Sequence, residues 1–483
     1  MNGALFIAGA WRAGSGACFA ARDPAYGAQT WEGAAASAQD IDHAAAAARA
    51  AFPGWSLTAP TDRDAIVRAF AKAIEKRGED LARAISASMG KPLWESRTEV
   101  AAVIGKVEIS IRMRNERAGE HRESAPFGAL NLTHRPLGVM TVFGPFNFPA
   151  HLPNGHIAPA LLAGNTIVFK PSELAPAPGA IMVEAWAEAG LPPGVLNLVQ
   201  GGRETGAALL AHDDINGVLF TGSAETGRMI HRLYGGRPDV MLALEMGGNN
   251  PLIVWPPADA AAAANLVAQS AWLTAGQRCS CARRLILPRG AFGDDIVERL
   301  IALARDLSVS GWKESDAAFM GPVVTKQAAM HAERFAERLI AKGGKAFAPF
   351  SRNGAFLRPA LIDMTGAPDP LDEELFGPLL QVYRVGSIEE AFARANASRF
   401  GLAGGLISDD AALWARAQND MRAGVLNWNR PTTGASSALP FGGPGLSGDL
   451  RPSASYAADY CAYPVASQIA EKAIAIAAPG LPA

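Results

Sequence analysis

Cysteine is scarce in this chain: 483 residues carry four, Cys18, Cys279, Cys281 and Cys461. So few cannot form the staple framework of a small secreted domain, and a reducing, cytoplasmic setting is the expectation. Charge of one sign is missing too. The 44 basic and 46 acidic residues leave a net charge of −2, without the basic excess that marks a nucleic-acid binder. Ligand spacing is absent around Cys279 and Cys281: no second Cys or His pair follows, so no metal is expected. A spanning apolar run is missing as well. From Pro136 to Phe169 there is no Asp, Glu, Lys or Arg, but Pro136, Pro145, Pro149, Pro153 and Pro159 interrupt the stretch. A membrane helix needs about 20 continuous apolar residues, and proline removes a donor and clashes with the preceding turn. The run therefore reads as buried protein near a site, with no membrane partner. The apolar start, Ala4 to Trp11, lacks a preceding basic residue and reads as a strand, not a signal core.

What is present is a globular chain. Hydrophobic residues reach 49%, too many for a disordered polymer, and the length suits two to three domains. Gly (50) and Pro (33) follow no period, so they punctuate loops. After the opening strands the first 120 residues are helical and Ala-rich. Ile66, Phe70 and Ile74 recur at helical spacing with Arg63, Arg68, Lys72 and Lys76 around them, the pattern of an amphipathic helix. From about residue 138, short β-branched runs alternate with helical stretches, and the alternation restarts beyond Asn250. That order predicts parallel sheets covered by helices, an α/β fold.

Ligands of such sheets bind at the carboxyl ends of the strands. Four turns there are polar or Gly-rich: Gly144 to Pro149, Lys170 to Glu173, Thr221 to Gly227 and Glu245 to Asn250. Gly222, Ser223, Ala224, Glu225, Thr226 and Gly227 open a helix directly after a strand, where backbone can approach a phosphate. The turn is not G-x-G-x-x-G, so a plain strand–helix connection is an equal alternative. Lys170 and Glu173 sharpen the reading. Both can hydrogen-bond an adenosine ribose, and a carboxylate there repels a 2′-phosphate, which favours NAD over NADP. Cys279, in Gly276-Gln277-Arg278-Cys279, is the reactive candidate; a lone cysteine is otherwise an inert core residue, which is the reading for Cys281. No histidine stands within forty residues of Cys279, and His151 and His156 read as packing or loop residues.

Taken in order, Phe143 to Pro149, Phe169 to Glu173, Phe220 to Gly227, Leu244 to Asn249, Gly276 to Cys279, Glu374 to Pro378 and Pro440 to Gly443 resemble the aldehyde dehydrogenase superfamily over nearly the whole chain. The resemblance implies a Rossmann-type cofactor domain (1–120 and 141–246), a second α/β catalytic domain (247–449), a small oligomerising β element (121–140 and 450–470) and a tail (471–483). It implies Cys279 as nucleophile, Asn147 with the Cys279 backbone N–H as oxyanion hole, and Glu245 as general base. Lys170 and Glu173 would hold the adenosine ribose, Gly222 to Gly227 the pyrophosphate, Glu374 the nicotinamide ribose, with Phe376 near the ring. NAD is the implied cofactor, and a homodimer or homotetramer the implied assembly.

A second set of motifs, His151 to His156, Gln200 to Gly206, Glu245 to Pro251, Gly276 to Arg284, Val425 to Asn429 and Tyr456 to Cys461, resembles a branch of that family acting on a semialdehyde with two carboxylates. Such a substrate needs fixed cations or hydroxyls, and arginine suits carboxylates through bidentate pairing. Arg278, Arg112, Arg114 and Ser437 are the candidates, with plain surface charge as the alternative for at least one arginine. Another acidic semialdehyde, a cofactor-free thiol hydrolase or acyltransferase, and a non-catalytic protein of the same fold remain as competing readings.

Overall fold

A computed structural model describes residues 4–368, 371–473, 475–476 and 478–480. The expected tail is exposed where described, and residues 474, 477 and 481–483 lie outside. No helix among the described residues is long and apolar enough to cross a membrane.

Two seven-stranded sheets organise the chain. The first runs, edge to edge, Met241–Met246, Gly217–Gly222, Val139–Phe143, Thr166–Lys170, Leu196–Leu198, Leu5–Ile7 and Ala10–Arg12. Its first five strands are parallel; the last two form an antiparallel hairpin. The second runs Lys345–Ala348, Ala360–Asp363, Leu379–Val385, Ala282–Pro288, Asn250–Val254, Ala403–Ile407 and Val425–Trp428, antiparallel only at Lys345–Ala348. Val139–Phe143 and Thr166–Lys170 are buried at every residue, as sheets covered on both faces require. This explains the charge-free run: it supplies two central strands and the helix His151–Ala163 between them. Antiparallel strands Ala462–Ile469, Gly128–Pro136 and His121–Ala125 make a separate small sheet.

Local chemistry fixes the helix ends. Ser37 and Asp40 form a reciprocal capping box at the start of Ala38–Ser56. At the other end of that helix the structure corrects one expectation. Arg63 does not sit on the solvent face of Pro60–Lys76; it is buried. Its guanidinium donates to Leu162 O at 3.0 Å and Thr58 O at 2.8 Å, and to Trp55 O and Ser56 O at 3.3 and 3.4 Å. The last carbonyls of a helix lack internal donors, and this arginine supplies them.

Asn165 ties the first sheet to the small one. Fully buried, it accepts from Leu137 N and Gly138 N at 2.8 and 3.0 Å, and donates to Ala160 O and Cys461 O at 3.2 and 2.7 Å. Each buried backbone group left without a partner costs roughly 1–3 kcal/mol. Asn165→Ala should therefore lower unfolding stability by at least about 3 kcal/mol, seen as an earlier transition in urea or on heating; a melt superimposing on wild type would refute the assignment.

Candidate active site

Only Gly247, Gly248 and Asn249 separate the last strand of the first sheet from Asn250–Val254 of the second. The carboxyl ends of the first sheet therefore meet the amino ends of the second. Glu245 ends one sheet; Cys279 and Glu374 precede strands Ala282–Pro288 and Leu379–Val385 of the other. Asn250 joins them by donating to Cys279 O at 2.7 Å and Cys281 O at 2.8 Å.

The turn before Cys279 is strained. Thr274, Ala275 and Gly276 have φ of +59°, +53° and +71°. The left-handed region costs an ordinary residue roughly 1–2 kcal/mol, and it persists only where surroundings enforce it. A Cβ at Gly276 would lie 2.2 Å from Gly377 O, so only glycine fits. Four side chains enforce the shape. Buried Glu95 accepts from the Thr274 hydroxyl and, at 2.7 Å, from Arg278 Nη2. Arg278 Nε donates to Thr274 Oγ1 at 2.7 Å. Gln277 accepts from Val324 N at 2.9 Å. Buried Arg283 donates to Gly276 O, Arg278 O and Gly377 O at 2.7, 3.0 and 3.2 Å, joining the Cys279 turn to the Glu374 loop.

Asn147 lies beside this turn. It is buried, and its Nδ2 donates to Gln277 O at 2.9 Å. An amide nitrogen carries two hydrogens, so one remains for a ligand. Glu374 accepts from Gly248 N at 3.1 Å, and Phe376 meets Phe146 edge-on, with centroids 5.9 Å apart. Glu245 accepts from Ser453 N at 3.0 Å, while its Oε2 is buried without a hydrogen-bond partner among the described residues. A cavity of about 270 Å³ adjoins this carboxyl, lined by Gly442, Gly443, Gly448, Arg451 and Tyr456 among others.

Burial governs the ionisation here, because it penalises the charged form of any group. It raises Glu245 to about 8, opposed by the Ser453 amide and reinforced by Asp449. It raises Glu374 to about 7, opposed by Arg283. Cys279 keeps some solvent contact as a residue, yet the packing around its thiol, followed by Glu374 and Glu245, pushes it up to about 12. At neutral pH the resting thiol is protonated, and so is most of Glu245.

At the far end of the crevice, Lys170 is buried at a strand end and donates to Gly201 O at 2.7 Å and Pro171 O at 2.9 Å. Among the described residues its third hydrogen meets no acceptor closer than the Glu173 carboxylate, 4.0 Å away and half-exposed. Ser223 caps helix Ala224–Leu233, accepting from Thr226 N at 3.2 Å. A Cβ at Gly227 would fall 2.3 Å from Met246 Sδ. The cradle fits a dinucleotide: free donors and an acceptor at one end, a capped helix start in the middle, Glu374 and Phe376 at the other.

The arginines need a correction. Arg278 abuts the site, but Arg112 and Arg114 do not. Helix Leu93–Ala118 rises 1.5 Å per residue, which puts Arg112 about 25 Å along it from Glu95. Arg112 is exposed beside Glu116 at 3.8 Å, and Arg114 is clamped by Asp64 at 2.6 and 3.1 Å. Ser437 is half-buried on the 434–440 loop and makes no hydrogen bond among the described residues. Sequence reasoning missed Lys91, Glu95, Glu99 and Arg283. The available signal was the stripe Glu95, Glu99, Val103 and Lys106, four positions at helical spacing that all face inward.

The family model described as "Aldehyde dehydrogenase family" matches residues 11–464. N-succinylglutamate 5-semialdehyde dehydrogenase of Paraburkholderia xenovorans is 53% identical over 96% of each chain. N-succinylglutamate 5-semialdehyde dehydrogenase 2 of Caulobacter vibrioides is 54% identical over 97% of this chain and 96% of its own. Among solved structures, PnpE in complex with nicotinamide adenine dinucleotide superposes with a TM-score of 0.91, at 31% identity and 99% coverage of both chains.

In a Cys18→Ser background, which removes the exposed thiol, alkylation of Cys279 by iodoacetamide should climb about tenfold per pH unit from about pH 7 to about pH 10, because only the thiolate reacts. A plateau near pH 8 would refute the raised thiol.

Proposed function

This chain belongs to the aldehyde dehydrogenase family, and on that premise we propose that it oxidises N-succinyl-L-glutamate 5-semialdehyde to N-succinyl-L-glutamate, with NAD as electron acceptor and water as oxygen source. The observation that carries the reaction is Cys279 in a turn held by the Asn147 amide at Gln277 O, with buried Glu245 and half-buried Glu374 near enough to act on its thiol. The observation that carries the substrate is identity above one half, across nearly the whole chain, to two enzymes named for it. That substrate belongs to the succinyltransferase route of arginine breakdown, a cytoplasmic process.

Lys170, Glu173, the 222–227 turn, Glu374 and Phe376 are the residues that hold NAD, and NAD bound there supplies the hydride acceptor. The protein's own part is thiol and acid–base chemistry. Ionised Glu245 takes the Cys279 thiol proton and passes it to water, the sulfur bonds to the aldehyde carbon, and the carbonyl oxygen becomes an alkoxide. The free hydrogen of Asn147 Nδ2 and the Cys279 backbone N–H receive that charge; one such donor is worth roughly 3 kcal/mol in a dry site. Loss of hydride leaves a thioester on Cys279. Glu245 takes a proton from water, which attacks the thioester, releasing the acid and restoring the thiol. A carboxyl raised to about 8 suits this task, since a base works best with its pKa near the operating pH.

Arg278 is the residue proposed for a substrate carboxylate. Glu95 and Thr274 occupy its Nη2 and Nε, which leaves Nη1 for the ligand. The sheet Ala462–Ile469, Gly128–Pro136 and His121–Ala125 is proposed to join subunits into a dimer or tetramer.

Two measurements test this reading. With NAD, kcat/KM for N-succinyl-L-glutamate 5-semialdehyde should exceed that for succinate semialdehyde by at least about tenfold, the discrimination one added contact supplies; Cys279→Ala should form no NADH with either. A preference for succinate semialdehyde would move the assignment to that substrate. Arg278→Lys keeps a cation on Glu95 but withdraws the second edge of the fork. It should raise KM for the dicarboxylate about tenfold or more and for a neutral aldehyde such as propanal by less than about threefold. Equal changes would remove Arg278 from substrate recognition.

A further inference from the structure

Away from Cys279, Glu245 and Glu374, Lys91 and Glu99 form an ion pair that is buried on both sides. Lys91 is 1% exposed and Glu99 2%, and Nζ meets Glu99 Oε2 at 2.5 Å. Replacing a buried ion pair by apolar residues is often neutral or stabilising, so stability alone does not explain it. Its other bonds all converge on one loop. Lys91 Nζ donates to Asn147 O at 3.0 Å. Glu99 Oε1 accepts from Ala150 N at 2.9 Å and His151 N at 3.1 Å. The ring of Phe148, next to Asn147, lies 4.1 Å from Lys91 Nζ and 5.0 Å from the Arg278 guanidinium carbon. Three backbone groups spanning residues 147–151 are thus pinned by one pair of side chains, and the residue so held carries the Nδ2 donor beside Cys279.

One helix turn away, Glu95 holds Thr274 and Arg278 of the nucleophile turn. Side chains four apart on a helix share a face. The start of helix Leu93–Ala118 therefore touches both halves of the site: Glu95 the sulfur side, Glu99 the oxyanion side.

We propose that Lys91 and Glu99 are positioning residues for the reaction, holding the Asn147 amide where the alkoxide forms. The inference rests on the reading of Asn147 as an oxyanion donor. Lys91 restrains the Asn147 backbone through its carbonyl, and Glu99 restrains the far end of the same loop. Without them the loop keeps its fold but its amide wanders. A misplacement of about 1 Å from the reacting centre can cost about a hundredfold in rate.

A double-mutant cycle over Glu99→Gln and Asn147→Ala, assayed with N-succinyl-L-glutamate 5-semialdehyde and saturating NAD, decides the matter. Glu99→Gln should lower kcat about 10- to 100-fold while KM for the aldehyde stays within about threefold. In the Asn147→Ala background the same change should lower kcat by less than about threefold, because the donor it positions is already gone. An equal loss in both backgrounds, or wild-type kcat for Glu99→Gln, would overturn the positioning role. Asn147→Ala with unchanged kcat would instead overturn the oxyanion reading, and the positioning role with it. If Glu99→Gln fails to fold because Lys91 is left unpaired, Lys91→Met with Glu99→Gln removes both charges together. That folded variant turning over at the wild-type rate would equally refute the proposal.

Discussion

The site works with water held away from its charges, and the rest of the structure depends on that constraint. Desolvation is the largest influence on Cys279, Glu245 and Glu374 alike, and it drives all three toward their neutral forms. The sign for stability follows. A carboxyl raised to about 8 supports the fold fully below its unfolded value and loses that support as pH rises through about 8. At neutral pH, holding Glu245 protonated costs about 3 kcal/mol relative to the ionised unfolded chain. On the proposed reaction a dry pocket offsets that cost, because donors aimed at a developing alkoxide are strong only where water cannot compete. A neutral resting thiol is the other side of the same constraint.

Dryness would be useless if Cys279, the proposed nucleophile, were loose. Thr274, Ala275 and Gly276 hold a left-handed turn that the chain alone would not adopt, and the bonds enforcing it come from both near and distant parts of the sequence. Glu95 arrives from a helix near the start of the chain, Val324 from a loop of the second half, and Arg283 from the strand that follows the turn. The strain is paid by this convergence, and it sets Cys279 at the junction of two sheets whose strand ends supply everything else. The fully buried guanidinium of Arg283 also moderates the rise of Glu374, so one side chain shapes the turn and tunes a carboxyl across the crevice.

How much of this the sequence disclosed depends on what kind of residue was involved. Turns at strand ends were legible, since Gly144 to Pro149, Thr221 to Gly227 and Glu245 to Asn250 interrupt β-branched runs with residues that make poor strands. The parallel sheets followed from the alternation, and the buried nature of the 136–169 stretch from its lack of charge. The supporting residues were not legible, because a lone Lys or Glu on a helix has the same appearance whether it faces water or a loop. Glu95 and Glu99 stand among Arg97, Thr98 and Lys106 and suggest a solvated surface; only their stripe with Val103 marks them as internal. The same ambiguity misled in the other direction for Arg112 and Arg114. Their charge fitted a substrate with two carboxylates, but their place near the far end of a 26-residue helix put them out of reach. Arg63 was misread for a related cause: carbonyls at the end of another helix, invisible to periodicity, drew it inward.

The helix Leu93–Ala118 resolves a difficulty inherent in building a site between two sheets. The turn that carries Cys279 precedes a strand of the second sheet, and the Asn147 loop follows a strand of the first, so a small slide between the sheets would separate sulfur from amide. Functional groups tolerate only about 0.5 Å of such error. A helix is stiff along its axis, and two carboxylates one turn apart define a fixed interval on it. With Glu95 gripping one element and Glu99 the other, that interval is transferred to the distance between Cys279 and Asn147. Backbone packing alone could hold the sheets together, but it grades smoothly with displacement. Charge-assisted hydrogen bonds in a dry interior do not: they are short, directional and costly to break. A buried ion pair is an expensive way to gain stability and an effective way to gain registration, which accounts for the two buried carboxyls Glu95 and Glu99 at this end of the helix.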